Sequence, residues 1–209
     1  VTKTGQINDE ISQAAPRNAD PINALTARDI EAHANEYLDF ISEISDGAEK
    51  VVDKLPMNFF NLGLISLFFP QAKIINCRRD ARDVGFSCYF QNFSDPLPWA
   101  NDLSHIGHFI CGYERLMDHW SDTVPIPIYD ITCETLGARP NEQIRQIIGF
   151  LELPWEDQCL NFHSQGGVIQ TASRSQVRHP IYKSSVERWR SYDALLAPMI
   201  EVLDTMRVV

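Results

Sequence analysis

Between residues 73 and 93 the chain reads KIINCRRDARDVGFSCYFQNF, and this order of segments constrains the fold more than any other feature. A short apolar run meets a charged turn, and a helical pattern follows it. KIINC has the length and apolar content of a buried strand, Arg78-Arg79-Asp80 forms the turn, and a helix is predicted over residues 81–90. Upstream, Val51-Val52 reads as a short strand ending near Asp53-Lys54, Pro56 breaks it, and a helix over residues 58–69 closes at Pro70. Downstream, residues 126–131 read as a further strand. Strand, helix, strand and helix in close succession predict an α/β fold built on a parallel sheet.

The other segments fit around that unit. Residues 1–26 are polar, with Pro16 and Pro21, and read as a loose arm preceding a domain over residues 27–209. Thr26 is a suitable N-cap for a helix over residues 27–44, in which Ile30, Ala34, Leu38 and Ile41 recur every three or four positions. A helix over residues 104–121 carries the clearest apolar stripe: Ile106, Phe109, Ile110, Tyr113, Leu116, Met117 and Trp120. Pro140 opens another helix, with Ile144, Ile147, Ile148 and Leu151 on its buried face. Residues 164–182 lack helical period, and a loop of that length in a compact domain points to function. A last helix is predicted over residues 194–206.

Composition removes several function classes. The 209 residues carry a formal net charge of −10, which argues against a broad nucleic-acid or anionic-membrane surface. A small anion pocket stays compatible, since a local arginine pair outweighs a distant acidic field. No apolar run has the length of a membrane span, and the first ten residues hold no secretory core. The chain opens on Val, which predicts that an upstream portion is missing. The five cysteines are odd in number and widely spaced. They read as small buried hydrophobes in a reducing, cytoplasmic setting, and no metal site is expected from them or from His105, His108 and His119.

In an open parallel sheet, ligands sit beyond the carboxyl ends of the strands. There the helix following KIINC offers backbone N–H groups and the positive end of its dipole, with Arg78, Arg79 and Arg82 adding charge. Ser87 lies two turns into that helix and reaches an anion only along the helix flank. The same residues permit a second reading. Asp80 and Asp83 can cap the helix or pair with the arginines, leaving a solvated, self-neutralised turn.

The segment resembles the 3′-phosphate-binding segment of sulfotransferases that use 3′-phosphoadenosine 5′-phosphosulfate (PAPS): a strand, an arginine and a serine eight positions on, here Arg79 and Ser87. The resemblance extends upstream through VVDKLPMNFFNLGLISLFFPQA. Downstream it runs through HFICGYERLMDHW, IIGFLELPWEDQCLNFH and TASRSQVRHPIYKSSVERWRSY. It is strongest to bacterial sulfotransferases often joined to tetratricopeptide repeats, relatives of the tyrosylprotein sulfotransferases. It implies a P-loop NTPase-like three-layer fold, PAPS as co-substrate and a hydroxyl-bearing acceptor (protein tyrosine, carbohydrate or a small alcohol or phenol). It also implies that Lys54 stabilises charge on the transferring sulfuryl group. Ser173, Tyr182, Lys183 and Arg188 would contact the nucleotide from the late segment.

Two departures from the family pattern qualify this. No Pro-Arg-Ser-Gly-Thr-Thr stretch occurs, nor any G-x-x-x-x-G-K-[ST]. The family's cradle for the 5′-phosphosulfate is therefore expected to lie on a missing upstream portion, incomplete at the amino terminus, together with the glutamate base. Asp53 and Glu31 are base candidates by chemistry alone. The family's strand-end Tyr-Glu-Asp is Cys133-Glu134-Thr135 here, which removes a ring from beside the adenine. A non-catalytic nucleotide-binding or assembly module, or a relative of P-loop nucleotide kinases, are the alternatives.

Overall fold

The computed structural model describes residues 24–45, 47–91, 93, 97–164 and 186–207. Seven α-helices and two strands are described: α1 (Ala27–Ile44), α2 (Leu62–Phe68), β1 (Ile74–Arg78), α3 (Ala81–Phe90), α4 (Leu103–Thr123), β2 (Ile128–Thr132), α5 (Cys133–Ala138), α6 (Pro140–Phe150) and α7 (Asp193–Met206). Short 3₁₀ turns lie at Pro56–Asn61, Pro98–Asn101, Asp157–Ser164 and Arg188–Tyr192. The described residues fall into two compact units. One takes the residues up to Ala72 with Leu116–Pro127; the other takes Lys73–Arg115 and the residues from Ile128 onward.

In the first unit, α1 starts where Thr26 predicts. The Asp29 backbone N–H donates to Thr26 Oγ1 at 3.3 Å, and the Thr26 N–H donates to Asp29 Oδ2 at 2.9 Å, a reciprocal capping box. Ala34, on the inner face of α1, packs with Leu64 and Phe68 of α2. The helix expected over residues 58–69 is a 3₁₀ turn running into α2, and Trp120 fastens that turn by donating its indole N–H to the Phe59 carbonyl at 2.7 Å. The strand expected at Val51-Val52 is corrected: these residues form no ladder among the described residues, and Val52 is 83% exposed. An apolar β-branched pair extends the backbone, but without a paired neighbour it is not a strand.

The second unit holds the sheet. β1 and β2 pair in parallel, with Asn76 opposite Asp130 and Arg78 opposite Thr132. The Asn76 side-chain amide donates to Asp130 Oδ1 at 2.6 Å, and the Tyr113 hydroxyl donates to Asn76 Oδ1 at 2.6 Å. α6 begins with Pro140 in its first turn and ends at a left-handed Glu152, with φ of 57°. Lys73, just before β1, donates to the Phe150 carbonyl at 2.8 Å and pairs with Glu152 at 3.0 Å, placing a cation at the negative end of α6.

The core of this unit lies where α3, α4 and α7 meet. Ile106, Leu196 and Met199 are fully buried there, with Phe86, Ile110 and Leu203 around them. Each such side chain contributes about 1.5–3 kcal/mol by leaving water. Two glycines let the helices approach. A Cβ at Gly107 would stand 2.9 Å from Val202 Cβ and 3.0 Å from the Met199 carbonyl oxygen, and one at Gly85 would collide with Met199 Sδ. The molecule is thus α/β, rich in helix, with a parallel sheet.

The cysteine reading needs correction. All five are free thiols, but only Cys111 is buried, while Cys77 and Cys133 are exposed at the carboxyl end of the sheet. A strand end has no layer above it, so an apolar neighbourhood in sequence does not bury these side chains.

Candidate functional site

The predicted strand, turn and helix form in register, so Arg79 leaves the carboxyl end of β1 one residue before the Asp80 N-cap of α3. Much of the turn's charge is matched internally. Asp80 accepts the Arg82 backbone N–H at 2.9 Å and both a 3.0 Å and a 2.6 Å bond from the Arg82 guanidinium. This two-pronged grip holds the Asp80 carboxyl below the usual carboxylate range, against the opposing effect of partial burial. Glu134, in the first turn of α5, accepts the Asp80 backbone N–H at 2.9 Å. Carboxylates of the protein therefore engage two amides at the start of α3.

Arg79 faces the flank of α3. Its Nη2 lies 3.6 Å from Asp83 Oδ2, and its side chain keeps 22% of its surface exposed. Its charge also pulls against the burial that raises the half-buried Cys88 thiol. Ser87 is exposed one turn beyond Asp83, on the same helical row. Arg79 and Ser87 thus share one side of α3, with Asp83 between them.

Asp83 has the least accessible carboxylate described, 0% exposed. It accepts the backbone N–H of Glu187 at 2.7 Å and of Trp189 at 3.1 Å. Glu187 adopts a left-handed φ of 60°, and the 3₁₀ turn Arg188–Tyr192 begins just after it. Trp189 is buried against α3, with the Arg82 guanidinium 3.9 Å above its ring. Arg188 is exposed, its guanidinium 5.2 Å from the Phe86 ring. The sequence presented Asp83 only as a helix cap or a competitor for arginine charge, since no local pattern reveals a bond to backbone more than a hundred residues away.

Lys54 belongs to the first unit, in an extended and exposed stretch just before the Pro56–Asn61 turn. Its neighbour Asp53 accepts the Tyr37 hydroxyl at 2.6 Å, and burial together with that carboxylate raises the Tyr37 phenol. Glu31 is exposed on α1. Cys133 opens α5 and does not extend β2, because the Thr132 side chain caps the helix by accepting the Thr135 N–H at 3.1 Å. Ser173, Tyr182 and Lys183 lie outside the described residues, as does the loop over residues 165–182. Among the described residues no three His, Cys, Asp or Glu side chains gather as metal ligands, and no helix is long and apolar enough to cross a membrane.

A family model described as "Sulfotransferase family" matches residues 3–157, well over half of the chain. The chain belongs to the sulfotransferase family. The sulfotransferase match takes in Lys54, β1, Arg79, Ser87 and β2, and the P-loop-like α/β fold of the family agrees with the architecture described. An uncharacterised protein of Aquifex aeolicus is 41% identical over 83% of this chain and 23% of its own length. A putative protein-tyrosine sulfotransferase of Caenorhabditis elegans is 28% identical over 79% of the chain and 66% of its own length. A protein-tyrosine sulfotransferase of Drosophila melanogaster is 23% identical over 82% and 38%. The chain thus spans less than two thirds of the length of these curated relatives.

Proposed function

We propose that this sulfotransferase chain supplies the 3′-phosphate side of a PAPS site and a transition-state cation for transfer to a hydroxyl, with protein tyrosine as the acceptor class. The observation that carries the reading is the shared flank of α3, where Arg79 and Ser87 bracket Asp83 beyond the end of a parallel strand. A guanidinium and a hydroxyl suit a phosphate ester held side-on. The names of the fly and worm relatives support the tyrosine acceptor.

In the transfer, the bond between sulfur and the phosphate oxygen of PAPS breaks as a bond from sulfur to the acceptor oxygen forms. The acceptor proton passes to a base, and adenosine 3′,5′-bisphosphate leaves. Charge grows on the leaving phosphate oxygen, and an ammonium aimed at it stabilises the transition state more than the ground state. Lys54 takes that role. In the same reading, Ser173, Tyr182, Lys183 and Arg188 are assigned contacts with the nucleotide. A tetratricopeptide-repeat partner and a cytoplasmic setting belong to the same reading.

Calorimetric titration with adenosine 3′,5′-bisphosphate tests the binding half: heat is expected from the parent chain and is lost in Arg79→Ala. No heat from either protein overturns the site. Sulfur-35 transfer from PAPS to a tyrosine peptide, a carbohydrate and a small phenol tests the chemical half. Lys54→Ala is expected to lower transfer on the order of a hundredfold while changing nucleotide affinity little. A second reading, binding without transfer, draws on Cys133 in place of a tyrosine and on the carboxylates already engaging amides at the start of α3. Binding with no label on any acceptor, by a protein extended upstream to include the 5′-phosphosulfate cradle, selects it.

A further inference from the structure

A fully buried carboxylate is expensive unless its charge is matched by directed donors. Asp83 receives them from one distant segment and from the turn that precedes its own helix. Oδ2 accepts the Glu187 N–H and faces Arg79 Nη2, and Oδ1 accepts the Trp189 N–H. The two amides converge because Glu187 is left-handed, a conformation that costs a non-glycine residue free energy and persists only where its surroundings hold it. Between those two amides sits Arg188, whose exposed side chain rests over Phe86 of α3. The separation of 3.6 Å to Arg79 is an ion-pair distance and not a hydrogen bond.

We propose that Asp83 is a positioning residue for the nucleotide: one buried side chain sets both the Arg79 guanidinium and the backbone that carries Arg188, so that the early and late arginines meet the ligand as a pair. This rests on the nucleotide site proposed above. Each N–H takes a different oxygen of Asp83, so asparagine in the same position accepts only one of them and turns its NH₂ toward the other donor. It also removes the charge that orients Arg79. Glutamate keeps the charge but displaces it by one methylene.

The test combines two readouts on the full chain at a temperature where circular dichroism shows each variant folded. Hydrogen exchange at the Glu187 and Trp189 amides reads the latch without any ligand. Titration with adenosine 3′,5′-bisphosphate reads its effect on the site. Asp83→Asn is expected to release at least one of the two amides and to weaken the nucleotide at least tenfold. Arg188→Ala is expected to weaken it in the parent chain and to add almost nothing in the Asp83→Asn background, because the residue is already misplaced there. Should Asp83→Asn fail to fold, Asp83→Glu serves in its place with the same expectations.

Fast exchange at both amides in the parent chain overturns the proposal, whatever the ligand does. Released amides with unchanged affinity, while Arg79→Ala abolishes binding, overturn the positioning role and leave the nucleotide site standing. So does full additivity of the Asp83 and Arg188 losses. Absence of binding by the parent chain, with the latch intact, removes the nucleotide site and the positioning role together.

Discussion

Asp80 shows at the scale of one residue how the turn divides its charges. Its folded-state carboxyl lies below the ordinary value, first because of the Arg82 side-chain bond. A lowered acid contributes stability that is present above the unfolded pKa of about 4 and is lost as pH falls through the folded value. Asp80→Asn keeps an N-cap but loses the charge. It is expected to unfold at lower denaturant than the parent at pH 7, with the gap closing in acid, as equilibrium urea titrations across that range would measure. Glu187 makes a second case. Its left-handed backbone costs about 1 kcal/mol that glycine does not incur, and its side chain offers only an exposed pair with Arg190 at 2.7 Å, worth little. Glu187→Gly is expected to match or exceed the parent's melting temperature in calorimetry; a clear loss would show that the side chain matters more than the backbone.

Among the elements, α4 and α7 meet through Gly107, and the atoms facing it belong to Val202 and to the Met199 backbone. Backbone cannot rotate away as a side-chain tip can. Gly107→Ala is therefore expected to destabilise by about 1–3 kcal/mol despite the better helix propensity of alanine, a sign that chemical denaturation settles. The elements were also the most legible part of the sequence. Thr26 with Asp29, Pro140, and the stripe on α4 marked helices that form within a few residues of their expected bounds, since capping and periodicity are local. Val51-Val52 did not become a strand, because pairing depends on a neighbour that residue type does not specify. The family's strand-end pattern aligns with residues 133–135, which Thr132 here turns into α5 through a hydroxyl cap.

For the whole molecule, ligand binding gives the broadest measurement. A nucleotide that binds only the folded state at a hundred times its dissociation constant adds about 2.7 kcal/mol. For a chain of this size that is roughly 5–10 °C in melting temperature. Adenosine 3′,5′-bisphosphate is expected to produce such a rise in thermal scans, and Arg79→Ala to remove it. How far the site could be read beforehand follows from the same contrast between local and distant. The placement of Arg79 and Ser87 about α3 was legible because strand, turn and helix are continuous in sequence. Asp83 was legible only as a helix cap or a rival for arginine charge, because its backbone partners Glu187 and Trp189 are joined to it by folding alone.

The amide of Asn76 and the carboxylate of Asp130 face each other across the two strands, with the Tyr113 hydroxyl behind them. A shift of one position would set that amide against Tyr129 or Ile131 and deprive the carboxylate of its donor. The apolar pattern sets which face of each strand is buried, and a directed polar rung adds a specific partner to that register. This rung therefore acts as an alignment key, fixing which residues emerge together at the strand tips, and hence that Arg79 and Glu134 arrive at the same rim.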